Sequence, residues 1–160
     1  MSKNNVLVNL SSFALLQIFY ETSRAFPKET GGILLGSKGK RQIWVEKIIG
    51  PGPNAVHENS SFAPDNDFHI EQISKIYRET SGCITYLGDW HSHPNNLAFL
   101  SERDKKTIRS ISSFKDAQLP NPLMLIIGTK PLDIKAWIYQ PKSLLENPYK
   151  EVLLLLNNDH

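Results

Sequence analysis

Two histidines and one aspartate are the residues of this chain best placed to do chemistry. They lie in His91-Ser92-His93-Pro94 and, six residues further on, Ser101-Glu102-Arg103-Asp104. Two imidazoles and a carboxylate can hold one divalent zinc and leave its fourth position to water. Zinc held that way makes hydroxide near neutral pH, which is hydrolytic chemistry. Either histidine by itself reads as a hydrogen-bonded core residue. Ser101-x-x-Asp104 by itself reads as a helix capping box, with Asp where Glu or Gln is usual. It is the full set that points to a metal, and an N-cap serine can still present its hydroxyl to a pocket.

A strand must deliver the histidines and a helix the aspartate. Cys83–Trp90 reads as that strand. Strand side chains alternate, so His91, His93 and Asp89 share one face and Trp90 and Ser92 take the other, with Trp90 in the core. Asp89 is then either an acceptor that orients an imidazole or a plain polar residue near a strand end. Gly88 suits either a close backbone approach or a bulge. Pro94 stops the strand. Ser101 opens a helix with Ile108 and Ile111 on its apolar side. Asp104 precedes them by four and seven residues, so it points inward. An unpaired carboxylate there is costly, and a metal removes that cost.

The other elements form the frame. Residues 6–10 read as a strand, and Ser11-Ser12 cap a helix to about Arg24 with apolar positions Phe13, Leu16 and Tyr20, plus Leu15 and Phe19. Gly31–Gly36 and Arg41–Ile49 read as a hairpin around Lys38-Gly39-Lys40, with Ile43, Val45 and Ile48 inward. Residues 50–64 are a long Pro- and Gly-rich loop, a length often tied to function. A helix from Asp65 or Asp67 to Ser81-Gly82 carries the stripe Ile70, Ile73, Ile76, Tyr77. Leu123–Gly128 and Ile134–Gln140 pair around Lys130-Pro131, while Val152–Leu156 fits a strand or a helical turn. No repeat or linker interrupts the chain. The reading is one α+β domain over residues 1–160, an α/β/α layering of helices around a mostly antiparallel sheet.

Composition sets the bounds. Of 160 residues, 40% are apolar and 21% charged, and the net charge is +2 with no block of like charge, which gives nucleic-acid binding no electrostatic basis. The lone Cys83 excludes an internal disulfide and suits a reducing compartment; lacking an activating partner, it reads as a small core residue. Met1-Ser2-Lys3-Asn4-Asn5 lacks a signal-peptide layout and the longest apolar run is too short to span a bilayer, so a cytoplasmic, membrane-free protein is expected.

His-Ser-His-Pro-x6-Ser-x-x-Asp resembles the JAMM motif of the JAB/MPN zinc metalloproteases. The family's upstream glutamate, in a Glu-x-Gly-Gly-hydrophobic context, is matched by Glu29-Thr30-Gly31-Gly32-Ile33. The resemblance runs from the first helix to the last hairpin. It implies a cytidine-deaminase-like fold, one zinc on His91, His93 and Asp104, Glu29 as general base, and Ser101 as a donor to the tetrahedral oxyanion. The residues themselves support Glu29 only weakly, since a loop glutamate is ordinarily a solvated surface residue. His57 and His69 fall outside the motif and read as non-ligands.

A narrower resemblance rests on Ser61-Phe62-x-Pro64-Asp65-x-x-Phe68-His69 and Thr85-Tyr86-Leu87-Gly88-Asp89-Trp90-His91. These segments are similar to bacterial JAB proteins of ubiquitin-like conjugation operons, several with anti-phage roles, which also encode E1- and E2-like enzymes. The implied substrate is a ubiquitin-like protein or its conjugates, cut after the modifier's C-terminal residue. A ubiquitin-like tail could add as a strand beside the sheet edge, walled by residues 50–64 and Asn95–Leu100. Two other readings stay open: a peptidase trimming a sulfur-carrier protein, and a metal-free MPN scaffold that only binds partners.

Overall fold

The computed structural model describes residues 5–141 and 146–157; Met1–Asn4, part of the segment read for a signal peptide, lie outside the described residues. In chain order the elements are β1 (Leu7–Ser11), α1 (Ser12–Ala25), β2 (Gly31–Lys38), β3 (Gln42–Ile49), β4 (Val56–His57), β5 (Phe62–Ala63), α2 (Asn66–Glu79), β6 (Thr85–His93), α3 (Glu102–Ser113), β7 (Leu123–Thr129), β8 (Leu132–Tyr139) and β9 (Tyr149–Asn157). No helix among the described residues is long and apolar enough to cross a membrane.

The mixed α+β content agrees with the sequence, but the sheet goes beyond a layered one. Seven strands bond in the order β1-β3-β2-β6-β7-β8-β9 and close back on β1. The closure is the work of β9, the run that periodicity left undecided. It pairs antiparallel with β8 and parallel with β1. The pairs β1–β3 and β6–β7 are parallel as well. Closure leaves these seven strands without a free sheet edge.

Both faces of the central strands are buried. Leu123, Leu125 and Ile127 of β7 join Leu34, Leu87, Trp90 and Val45 in one interior cluster, to which α1 adds Ala14 and Ile18. The alternate residues Met124 and Ile126 pack outward with Ile108 of α3. This two-sided burial explains why β7 reads as an unbroken apolar run. On the outer face of β2, Ile33 and Leu35 meet Ile76 of α2.

Two bulges re-aim side chains. In β3 the pairing with β2 skips Glu46, so Ile43 and Val45 face inward and then Ile48 does too, three residues on. In β6 it skips Leu87, so Leu87 and Trp90 both point inside. Gly88 serves both of its expected uses at this bulge. Its φ is +143°, and a Cβ there would stand 1.8 Å from the Leu123 carbonyl oxygen.

Some expectations about faces are corrected. On α1, Leu15 and Phe19 pack against the core as expected, but Phe13, Leu16 and Tyr20 are 55%, 65% and 61% exposed, and the buried face is Ala14, Ile18 and Thr22. The helix is apolar on most sides, so period alone does not choose a face; small Ala14 lets it approach β3 closely. On α2, Ile70 and Tyr77 are exposed, and His69 is buried with Ile76. Cys83 is exposed in the turn before β6 rather than a core residue.

Candidate functional site

Strand β6 runs through His93 and stops at Pro94 as the sequence suggested, so His91 is held by ladder pairing with β2 and β7 and His93 by pairing with β7. Residues 94–100 then fold back over the end of β7. The Asn95 N–H donates to Thr129 Oγ1 at 2.7 Å, the Lys130 N–H to the Asn96 carbonyl at 3.2 Å, and the Phe99 ring meets His93 edge-on at 4.9 Å. This turn sets the first turn of α3 against the histidine face of β6.

Ser101 caps α3 through a full capping box: the Asp104 N–H donates to Ser101 Oγ, and the Ser101 N–H to Asp104 Oδ2. Such a cap stabilises a helix by about 1 kcal/mol. That is too little to offset burying an ionised carboxylate, a cost of several kcal/mol, and Asp104 is only 3% exposed. The histidines supply the rest. His91 Nδ1 lies 2.8 Å from Asp104 Oδ1, and His93 Nε2 lies 3.1 Å from Asp104 Oδ2. Burial opposes the Asp104 charge, but the bonds from His91 and His93, the His91 charge and the Ser101 hydroxyl outweigh it and hold the carboxyl far below the usual range. Burial opposes the His91 charge too; the Asp104 bond and charge override it and raise that imidazole.

Glu29 stands two residues before Gly31, the residue paired with His91 on the antiparallel neighbour. That offset brings it level with His93. The backbone ladder continues through Thr30, whose N–H donates to Ser92 Oγ at 3.0 Å and whose carbonyl accepts from the Ser92 N–H at 2.9 Å. Half-burial pushes the Glu29 carboxyl up, against the lowering pull of His93 and His91. The structure therefore brings Glu29, His91, His93, Ser101 and Asp104 to one place.

Two candidates have specific local partners. The Ser101 hydroxyl donates to Asp104 Oδ2 at 2.6 Å, so its one hydrogen is already engaged. Asp89 accepts the Tyr86 hydroxyl at 2.6 Å, rather than an imidazole N–H. Burial raises the Asp89 carboxyl, with His91 and the Tyr86 bond pulling the other way.

Among the described residues, the two histidines outside the motif serve the backbone. His57 Nδ1–H donates to the Glu29 carbonyl at 2.9 Å, and His69 Nε2–H to the Gly50 carbonyl at 2.7 Å. Within the 50–64 loop, β4 and β5 pair as a small hairpin whose Phe62 ring stands edge-on to His91 at 5.9 Å. Sequence reading gave no role in the site to His57, read as a non-ligand, to Phe62, or to Arg103, the last of which donates to the Ser60 carbonyl. Their partners are distant in sequence, and no period marks them.

Whether the ligand set fits a metal is testable here. Among the described residues, no group of three His, Cys, Asp or Glu side chains stands in ready-made ion-holding geometry. His91, His93 and Asp104 are instead drawn together at hydrogen-bond distances. Their chemistry still fits a divalent ion. The donors are two imidazoles and a carboxylate, both imidazoles turn a ring nitrogen to the Asp104 carboxylate, and His93 Nδ1 is buried with no hydrogen-bond partner.

Comparison with known proteins identifies the family. The model of the family described as prokaryotic homologs of the JAB domain matches residues 12–139. A probable metalloprotease of Sinorhizobium fredii is 33% identical over 124 residues, covering 75% of this chain and 76% of its own length. A CD-NTase/cGAS isopeptidase of Escherichia coli is 25% identical over 128 residues, covering 79% of each chain. A solution structure from Desulfitobacterium hafniense superposes with a TM-score of 0.72 at 21% identity, over 95% of this chain and 94% of that one, a likeness of fold. The relatives' names are those of hydrolases, and the metalloprotease name implies a metal cofactor. With the motif, the closed sheet and the family match in agreement, the chain belongs to the prokaryotic JAB-domain family.

Proposed function

We propose that this protein is a zinc-dependent isopeptidase that cleaves after the C-terminal residue of a ubiquitin-like modifier, releasing it from conjugates or precursors. The observation that carries the reading is the meeting of His91, His93 and Asp104 at one buried point with Glu29 level with His93. Similarity to relatives named CD-NTase/cGAS isopeptidases supports an isopeptide substrate in a protein conjugate; E1- and E2-like enzymes as its makers follow from the resemblance to JAB proteins of conjugation operons alone. The small net charge and the lack of a membrane-spanning helix among the described residues are compatible with action in the cytoplasm, without nucleic acid.

His91, His93 and Asp104 would hold the zinc, which when bound would supply Lewis acidity and a more acidic water. Glu29 takes the proton of the attacking water and passes one to the leaving amine; half-burial helps by keeping its carboxyl more basic than a surface glutamate. Ser101 donates to the oxyanion by turning its hydroxyl from Asp104 Oδ2 toward substrate. The β4–β5 hairpin and residues 95–100 wall the groove; the closed sheet offers no edge for the strand addition expected from sequence, so an extended tail gains its main-chain hydrogen bonds from a free edge of the hairpin.

Gly31 is part of this geometry. A Cβ there would lie 2.4 Å from the Trp90 carbonyl oxygen, 2.6 Å from His91 Cδ2 and 2.9 Å from Phe62 Cε1. Gly31→Ala is expected to displace the His91 ring and lower zinc affinity about 10- to 100-fold, as loss of a ligand-orienting contact does. Chelator competition measures this, and an unchanged affinity removes Gly31 from the site.

The functional test is cleavage of ubiquitin-like fusions, including the modifier of a neighbouring conjugation operon, with and without a zinc chelator. Chelator-sensitive release of the modifier at its C-terminal residue is expected. No cleavage of any fusion by zinc-loaded protein overturns the proposal.

A further inference from the structure

The segment bearing Glu29 lies between α1 and β2, outside both. A general base must sit within hydrogen-bond reach of its proton, and a misplacement of about 1 Å can cost about 100-fold in rate. The Glu29 backbone therefore has to be held, and the β4–β5 hairpin holds it from both sides. The Glu29 N–H donates to the Glu58 carbonyl at 2.8 Å, and the Glu29 carbonyl accepts from His57 Nδ1 at 2.9 Å.

The hairpin is itself anchored. The Glu58 N–H donates to the Ser61 carbonyl at 2.9 Å, and the Ser61 hydroxyl to Glu58 Oε2 at 2.8 Å. Phe62 packs between His57, at 5.4 Å between ring centroids, and His91, at 5.9 Å. Arg103, next to Asp104, donates to the Ser60 carbonyl. The hairpin thus ties the Glu29 backbone to β6 and to the first turn of α3. Among the described residues, His57 is the one side chain that bonds the Glu29 peptide directly.

We propose that His57 is a positioning residue: its N–H bond to the Glu29 carbonyl fixes the backbone from which the Glu29 carboxylate reaches the reacting water. The inference rests on the reading of Glu29 as general base and adds a residue outside the motif. What matters is the donor and not the titration of the ring. Asparagine places an amide N–H near the position of imidazole Nδ1 and should replace it; leucine should not.

The test uses the zinc-loaded protein with His57→Leu and His57→Asn, and Glu29→Gln as the inactive reference. His57→Leu is expected to lower kcat about 10- to 100-fold, with KM and zinc content held and faster hydrogen exchange at the Glu29 amide. His57→Asn is expected to restore both kcat and exchange protection to within a few-fold of the parent. Full kcat in the leucine variant overturns the proposal. So does an asparagine variant as impaired as leucine, which would make the imidazole itself chemical. Unchanged Glu29 exchange in the leucine variant also overturns it. Should the parent protein cleave no fusion, the functional reading fails, while the exchange comparison still decides whether His57 holds the segment.

Discussion

Glu29→Gln abolishes cleavage and keeps the metal: a fall in kcat of about 100- to 10,000-fold is expected, the usual contribution of a general acid–base group. Glutamine keeps the shape of glutamate and can still hydrogen-bond a water, but it cannot take a proton at neutral pH. The Glu29 backbone stays pinned by Glu58 and His57, so the loss reports proton transfer and not a displaced loop. Glu29 is bonded to none of His91, His93 or Asp104, which bond one another, so about one zinc per chain should remain. Glu29→Ala should behave alike. The stability change has a sign as well. Burial raises the Glu29 carboxyl, so without metal its ionised form is unfavourable where it stands, and neutral Gln should leave Tm of the metal-free protein equal or slightly higher. Cleavage retained by a preparation free of parent enzyme refutes the assignment of the base.

The parts of this site that could be read from sequence are those set by local geometry. His91 and His93 share a face because strands have a period of two, and the pairing of β6 is regular from Gly88 to His93. Asp104 was legible through its cap with Ser101 and its spacing to Ile108, both within one or two helical turns. The hidden parts are long-range. Closure by β9 rests on pairing Leu153 with Leu7 and Leu155 with Asn9, which no local pattern encodes. The skipped residues Glu46 and Leu87 reset the alternation of β3 and β6 without a sequence mark. His57, Phe62 and Arg103 act through Glu29, His91 and Ser60, partners 28, 29 and 43 residues away. α1 failed for a different reason: with apolar residues on most sides, its face is selected by how closely Ala14 packs and not by where hydrophobicity lies.

Metal removal tests the ligand set through stability as well as content. About one zinc per chain in the parent and almost none in His93→Ala is the expected elemental analysis. The metal-free protein should also respond to pH in a defined direction. The depressed Asp104 carboxyl stabilises the fold above its unfolded pKa of about 3.9, and that contribution is lost only in strong acid. The raised His91 imidazole works oppositely: its contribution is full below about 6.5 and disappears as pH rises through the higher folded value. The raised Glu29 and Asp89 carboxyls also favour the fold less as pH rises through their folded values. Metal-free protein should therefore lose stability as pH rises above about 6.5. Zinc requires deprotonated ligands and binds more tightly over the same range. At free zinc one hundred times Kd it adds about 2.7 kcal/mol, or about 5–10 °C in Tm for a domain of this size. The gap in Tm between zinc-loaded and metal-free protein should widen with pH in the parent and vanish in His93→Ala. A gap that narrows as pH rises would mean that the imidazoles and Asp104 do not exchange their shared protons for a metal, and the three would then be a structural hydrogen-bonded cluster.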